Sequence, residues 1–128
     1  MDTVVLKLEL EVVVTQEDID DIMAGALEGG INYWCGEAEV VGNYLGEYAS
    51  EQISRGGQLI LHDIEEDETY TLDREKFMKG LKMYFEKPHP YDILEEIDNK
   101  LRIDTCNADG TVCDTIIQYA LFDDIVFG

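Results

Sequence analysis

The stretch Thr15–Trp34 reads TQEDIDDIMAGALEGGINYW and predicts the helix around which the rest of the chain is organised. Thr15 is a favourable N-cap, because its hydroxyl accepts a free backbone N–H of the first helical turn. Asp18 stands three residues later, where a capping-box acid reaches back to the cap. Apolar residues then recur at helical spacing and predict one buried face, which comprises Ile19, Ile22, Met23, Ala26 and Leu27.

The end of this helix is predicted at Gly29 and Gly30, because glycine adopts the left-handed conformation that commonly ends helices. A short apolar strand, Ile31–Trp34, is predicted to follow. A similar outline recurs near the C-terminus, where Asp114 occupies the place of Asp20. Two interpretations are open: a general likeness between amphipathic helices that lead into core strands, or an internal duplication.

Strands are predicted on both sides of this unit. Val4–Val14 alternates Val and Leu with charged residues, which is the period of a long strand with one buried face. Gln58–Asp63 and Thr69–Leu72 predict a hairpin with an acidic tip. Residues 36–54 are predicted as a loop and then a strand ending near Ser54, and Ile125–Phe127 as a short closing strand.

Two further helices complete the predicted fold. Asp73 caps a helix that runs to about Phe85, and the Pro88-His89-Pro90 segment stops it. The last helix covers Gly110–Phe122, and Tyr91–Arg102 is a charged connector with a helical turn or two. Residues 1–128 therefore predict a single α+β domain. Its antiparallel sheet, made of the long N-terminal strand, the central hairpin or meander and the short C-terminal strand, packs with about three helices.

Charge limits the classes of function. The chain has 29 acids against 9 bases, a net charge of −20, and Lys7 is the single base among residues 1–54. Direct binding to nucleic acid or to an anionic membrane is disfavoured, because both reward Lys and Arg. No apolar run reaches the length of a membrane span and no signal peptide begins the chain, so a cytoplasmic protein is expected.

The sequence contains none of the common catalytic or cofactor motifs. Three cysteines without CxxC spacing and the isolated His62 and His89 predict neither a disulfide framework nor a metal site. No Walker loop, dinucleotide fingerprint, GxSxG or HExxH occurs. We therefore expect no cofactor, no metal and no enzymatic activity.

A small set of residues is the candidate ligand site. Arg55 precedes Gly56 in a turn whose free N–H groups suit an anion, and Arg102 is a second group for a phosphate or carboxylate. Trp34 and Phe85 offer rings on which a base stacks. The competing interpretation is an exposed arginine on a hairpin turn and aromatic rings buried in the core.

Four blocks of the chain resemble a known group of proteins: DIMAGALEGGINYWC, EYASEQISRGG, DETYTLDREKFMKGLK and IIQYALFDDIVFG. The chain resembles small acidic proteins encoded by phages and prophages of clostridia, and it is similar to the sponge proteins that inhibit the Thoeris defence system. The resemblance implies a homo-oligomer that binds a cyclic ADP-ribose isomer and withholds it without cleavage.

Three functions remain open from the sequence. The first is phage-encoded sequestration of a nucleotide-derived immune signal in the host cytosol. The second is an acidic nucleic-acid mimic that inhibits a basic host defence nuclease, such as a CRISPR effector. The third is a metal-dependent nucleotide enzyme that uses acids such as Asp63 and Asp67.

Overall fold

The computed structural model describes residues 2–89 and 91–128, and its α+β class confirms the sequence prediction. Three α-helices, two three-stranded sheets and three short helical turns are present in those residues. In chain order, the elements are β1 (Val12–Val13), α1 (Gln16–Gly25), a π-helical turn (Ala26–Gly30), β2 (Cys35–Val40), a 3-10 turn (Ala49–Glu51), β3 (Leu59–Asp63), β4 (Thr69–Leu72), α2 (Arg74–Glu86), β5 (Leu94–Ile97), β6 (Lys100–Ile103), a second 3-10 turn (Thr105–Asn107) and α3 (Gly110–Phe122).

The two sheets differ in strand direction. The first has the order β2-β3-β4 and is antiparallel throughout, and its β3–β4 hairpin confirms the predicted one. The second has the order β1-β6-β5, in which β1 runs parallel to β6 and β5 antiparallel to it. Among the described residues, no helix is both long and apolar enough to cross a membrane.

Helix α1 begins as predicted and ends differently. Thr15 N–H donates to Asp18 Oδ2 at 2.9 Å and Asp18 N–H donates to Thr15 Oγ1 at 3.1 Å, which completes the capping box. The predicted left-handed stop at Gly29 and Gly30 is wrong, because both lie in the π-helical turn. The strand predicted at residues 31–34 is a turn, and β2 starts at Cys35.

Helices α2 and α3 pack closely at a glycine, and both match their predicted ranges within a residue. A Cβ at Gly80 would lie 2.6 Å from the backbone N of Ala120. The helices approach this closely because Gly80 has no side chain. Glu86 ends α2, and Lys87 is extended as expected of a residue before proline; Pro90 lies outside the described residues.

The middle of the chain corrects two predictions. In residues 36–54 the strand comes first and the loop follows. The buried Gln52 side chain stabilises this loop by bonding to its backbone: it accepts from Leu45 N–H at 3.0 Å and donates to Asn43 O at 3.1 Å. The predicted connector Tyr91–Arg102 contains the β5–β6 hairpin. Its turn residues Asp98 and Asn99 have φ of 52° and 64°, the conformation that tight hairpins use.

Both termini also differ from the predicted strands. Only Val12–Val13 of the N-terminal segment belongs to a strand, and residues 4–10 are unpaired within the described chain. Ile125–Phe127 is not a strand either. The N–H groups of Val126 and Phe127 donate instead to the side chain of Gln118, each at 2.8 Å.

The α2–α3 contact predicts the effect of Gly80→Ala. The new methyl group collides with the backbone of α3, so we expect a loss of about 2 kcal/mol in the free energy of unfolding. Urea denaturation followed by circular dichroism measures this loss. Gly29→Ala is the matched control, because its Cβ meets nothing within 4 Å. Equal stability of the two variants would contradict the close packing.

Candidate functional site

A glycine-lined cleft of about 470 Å³ lies between the π-helical turn and the start of α3. Four of its lining residues are glycines, and the other four bring carboxylates, hydroxyls and one aromatic ring. The complete lining is Gly25, Glu28, Gly29, Gly30, Tyr33, Gly110, Thr111 and Asp114. Clefts with few, convergent polar groups are the usual place for a small ligand.

Some glycines of this cleft permit close packing, and one leaves open space. A Cβ at Gly30 would lie 2.6 Å from Gly110 O, and one at Gly25 would lie 2.7 Å from Cys113 Sγ. Gly25 therefore allows the end of α1 to touch α3, and Gly30 allows the π-helical turn to do so. Gly29 faces open space, with nothing within 4 Å of its Cβ position. Its missing side chain leaves the cleft open.

The inner wall is the carboxylate of Asp114, which is 9% exposed. Trp34 Nε1 donates to its Oδ1 at 2.8 Å, and Gln118 Nε2 donates to the same oxygen at 2.9 Å. Tyr33 Oη donates to Oδ2 at 2.5 Å. Three donors from side chains therefore stabilise a buried charge that has no cationic partner among the described residues.

Tyr33 forms the rim of the cleft. Burial of its hydroxyl, together with the hydrogen bond to the Asp114 carboxylate, raises the pKa of Tyr33 to about 12. The phenol is therefore a neutral donor at physiological pH. The side chain as a whole remains 54% exposed, which leaves its ring accessible to a ligand.

Gln118 extends this network to the end of the chain. Its Nε2 also donates to Phe127 O at 3.2 Å, while its Oε1 accepts the two tail N–H groups described above. The ring of Phe127 is thereby held parallel to Trp34, with centroids 4.7 Å apart. The sequence signal for this network is weak: two polar residues, Asp114 and Gln118, one turn apart on a mostly apolar helix.

Trp34 is placed in the core and not in a ligand pocket. It is 3% exposed, with Phe127 against one face and Tyr70 and Phe122 edge-on at 6.3 and 6.2 Å. Its N–H is already bonded to Asp114. Trp34 is therefore a buried core ring, as the competing interpretation expected, and its faces are not open for a ligand base to stack on.

Arg55 is engaged by the protein itself. Its Nη1 donates to Glu51 O at 3.1 Å and lies 3.5 Å from Asp20 Oδ2, and its Nη2 lies 3.4 Å from Glu51 Oε2. The turn predicted at Gly56 is present, with φ of +86°. Both residues lie outside the glycine-lined cleft.

Phe85 and Arg102 lie on other elements. Phe85 is half-buried near the end of α2, edge-on to Tyr84 at 5.7 Å. Arg102 is on β6 opposite Glu95, and its Nε is buried without a hydrogen-bond partner in the described residues. No hydrogen bond, ion pair or ring contact within those residues joins any two of Trp34, Arg55, Phe85 and Arg102.

Comparison with known proteins gives no relative from which to transfer a function. No protein-family model, curated protein or solved structure shows a significant match to this chain.

The network at Asp114 predicts the effect of Asp114→Asn. The amide keeps the size of the side chain but replaces one of its two acceptor oxygens with an NH2 donor, so it cannot accept from both Trp34 N–H and Tyr33 O–H, and we expect a loss of about 2 kcal/mol in stability. Because Trp34 is the single tryptophan, its fluorescence during urea unfolding measures the change. Asp67→Asn at the exposed hairpin tip is the control. A variant as stable as this control would show that the carboxylate is dispensable.

Proposed function

We propose that this protein binds a nucleotide-derived signal in the bacterial cytosol and releases it chemically unchanged, as a phage anti-defence protein would. The observation that carries the proposal is the glycine-lined cleft with Asp114 in its wall and Tyr33 on its rim. The resemblance to phage sponge proteins supports the choice of ligand class.

The cleft suits the nucleoside part of such a ligand. The carboxylate of Glu28 and the hydroxyl of Thr111 accept hydrogen bonds from ribose hydroxyls or an exocyclic amine. Glycine backbones permit close approach of a flat ring, and the accessible ring of Tyr33 provides a stacking face. A phosphate group would point away from Glu28 and Asp114, because like charges repel.

Several observations favour binding over catalysis. Three donors already occupy the Asp114 carboxylate, so it is not a free general base. Burial raises the pKa of Cys113 to about 12, which keeps this thiol behind the cleft protonated and weakly nucleophilic. His62 Nε2 is bonded to Glu39 at 2.9 Å on the exposed sheet, away from the cleft.

The test is the cleft-filling variant Gly29→Leu. A Cβ at Gly29 meets nothing within 4 Å and Gly29 lines the cleft, so we expect the leucine side chain to occupy the cleft and the fold to remain intact. Isothermal titration of the unmodified protein with cyclic ADP-ribose isomers is expected to show binding, and Gly29→Leu to weaken it at least tenfold. Gln58→Leu, which adds the same side chain at an exposed position, is the control.

Two results would contradict this function. The first is absence of heat with every cyclic ADP-ribose isomer and with adenosine. The second is a chemically altered ligand recovered after the protein is denatured, since sequestration requires an intact molecule. Binding that Gly29→Leu leaves unchanged would retain the ligand class and remove the cleft as its site.

A second candidate function rests on the distribution of charge. Glu37 and Glu39 are 67% and 51% exposed on β2, an edge strand, and an acidic hairpin tip lies in the same sheet. This arrangement supports the alternative of an acidic surface that occupies the nucleic-acid channel of a basic defence nuclease.

Co-elution with a basic nuclease tests whether the acidic surface on β2 binds it. The double variant Glu37→Gln with Glu39→Gln is expected to weaken co-elution with such a nuclease at low salt, while Glu95→Gln with Glu96→Gln on the other sheet is not. Both pairs remove two negative charges, so the comparison separates a specific surface from net charge. Equal effects of the two variants, or no complex at low salt, would reject the acidic surface on β2.

A further inference from the structure

The N-terminal segment, residues 2–11, has the pattern of a strand but no strand beside it. Its Val and Leu side chains are among the most exposed apolar groups of the described chain: Val4 93%, Val5 82%, Leu6 80%, Leu8 72% and Leu10 65%. A contiguous apolar surface of this kind is rare on a monomer and marks an interaction site.

The geometry of the second sheet explains why the segment has no partner within the chain. β1 runs parallel to β6, with Val12 opposite Leu101. Strand β6 begins at Lys100, directly after the hairpin turn at Asp98 and Asn99. Residues before Val12 therefore extend past the start of β6, where no strand of the described residues runs beside them.

We propose that this segment pairs antiparallel with the same segment of a second copy of the chain, with Leu8 on the two-fold axis. On the apolar face, Leu8 meets Leu8 of the partner subunit, and Leu6 meets Leu10 of the partner subunit. On the other face, Lys7 lies opposite Glu9 of the partner subunit, and the symmetry repeats this pair. A two-fold interface requires this self-complementarity.

The charges select this register over its neighbours. A shift of one register step in one direction places Lys7 against Lys7 of the partner subunit. A shift in the other direction places Glu9 against Glu9 of the partner subunit, a repulsion that offsets the Lys7–Glu11 pairs formed in that register. Like charges directly opposite are destabilising. A slip that pairs odd with even positions puts Leu side chains on the charged face.

The segment offers a second copy opposite charges, which most of the surface does not. The chain carries a net charge of −20, so two copies repel each other over most of their surface. Residues 4–12 carry one net negative charge, from Lys7, Glu9 and Glu11, because Lys7 is the single base among residues 1–54 and stands two positions from Glu9. In a symmetric pair of strands, Lys7 of each copy therefore lies opposite Glu9 of the other, which gives two attractive charge pairs.

The apolar face of the segment continues into a groove of about 690 Å³. Leu8, Leu10 and Val12 form one wall, and Met78 and Phe85 of α2 contribute to the other. Pairing of the two segments places additional aliphatic side chains from the partner beside this groove. The groove shares no lining residue with the glycine-lined cleft, so the proposed dimer and the proposed ligand site are independent.

Charge reversal and charge exchange test the interface. Sedimentation equilibrium of the full chain is expected to show a dimer. Lys7→Glu and Glu9→Lys are each expected to raise the dimer dissociation constant at least tenfold, because each places like charges opposite. The double variant that carries both substitutions exchanges the charges and is expected to restore dimerisation. Circular dichroism checks that all three variants remain folded.

A cysteine scan fixes the register. In a Cys106→Ser background, which removes the exposed native thiol, Leu8→Cys is expected to form an intermolecular disulfide on mild oxidation. Leu6→Cys is the control, because in this register it faces Leu10 and not its own symmetry mate. Equal cross-linking of both variants would overturn the register.

Three other results would overturn the proposal as a whole. One is a monomeric chain at 100-fold or greater excess over the concentrations used for titration. Another is a dimer that Lys7→Glu and Glu9→Lys leave intact, since it would use a different surface. The third is failure of the charge exchange to restore a dimer that the single variants have broken. None of these results bears on binding in the glycine-lined cleft.

Discussion

The hydrogen-bonded carboxylate of Asp114 is the interaction on which the arrangement around α3 depends. A buried charge without donors is strongly unfavourable, so Trp34, Tyr33 and Gln118 must converge on it once α3 is packed. Through Gln118 the same constraint fixes the C-terminal tail, and through Phe127 it covers one face of Trp34. The Asp114 network therefore connects the core ring of Trp34, the rim of the cleft and the C-terminal tail.

Close backbone approach is the second constraint, and it gives the cleft its shape. Gly80 brings α2 onto α3, and Gly30 brings the π-helical turn onto the start of α3. Both contacts exclude a Cβ, whereas Gly29 has open space in front of it. Glycines that look alike in the sequence thus differ in function: some permit packing, and one leaves room that a ligand can occupy.

Local patterns predicted much of the fold. Apolar spacing and capping residues identified α1, α2 and α3, because a cap and an amphipathic face are properties of nearby residues. The β3–β4 hairpin was also predicted, because two short strand patterns around an acidic turn are likewise a property of nearby residues. The long strand predicted from the N-terminal alternation was wrong, because a strand needs a neighbour, and the described chain provides one only at Val12 and Val13. The β5–β6 hairpin was missed, because its turn depends on positive φ at Asp98 and Asn99.

By itself the sequence determined the α+β class, the three helices and the strongly acidic charge, since composition and short-range periodicity settle these properties. It did not determine the candidate site. Trp34, Arg55, Phe85 and Arg102 were plausible by residue type, but the tertiary structure buries the first, pairs the second with Asp20 and Glu51, and separates the others. The cleft and its Asp114 network join residues about 80 positions apart. Only the packing of α3 against the π-helical turn brings them together, and no local pattern encodes that contact.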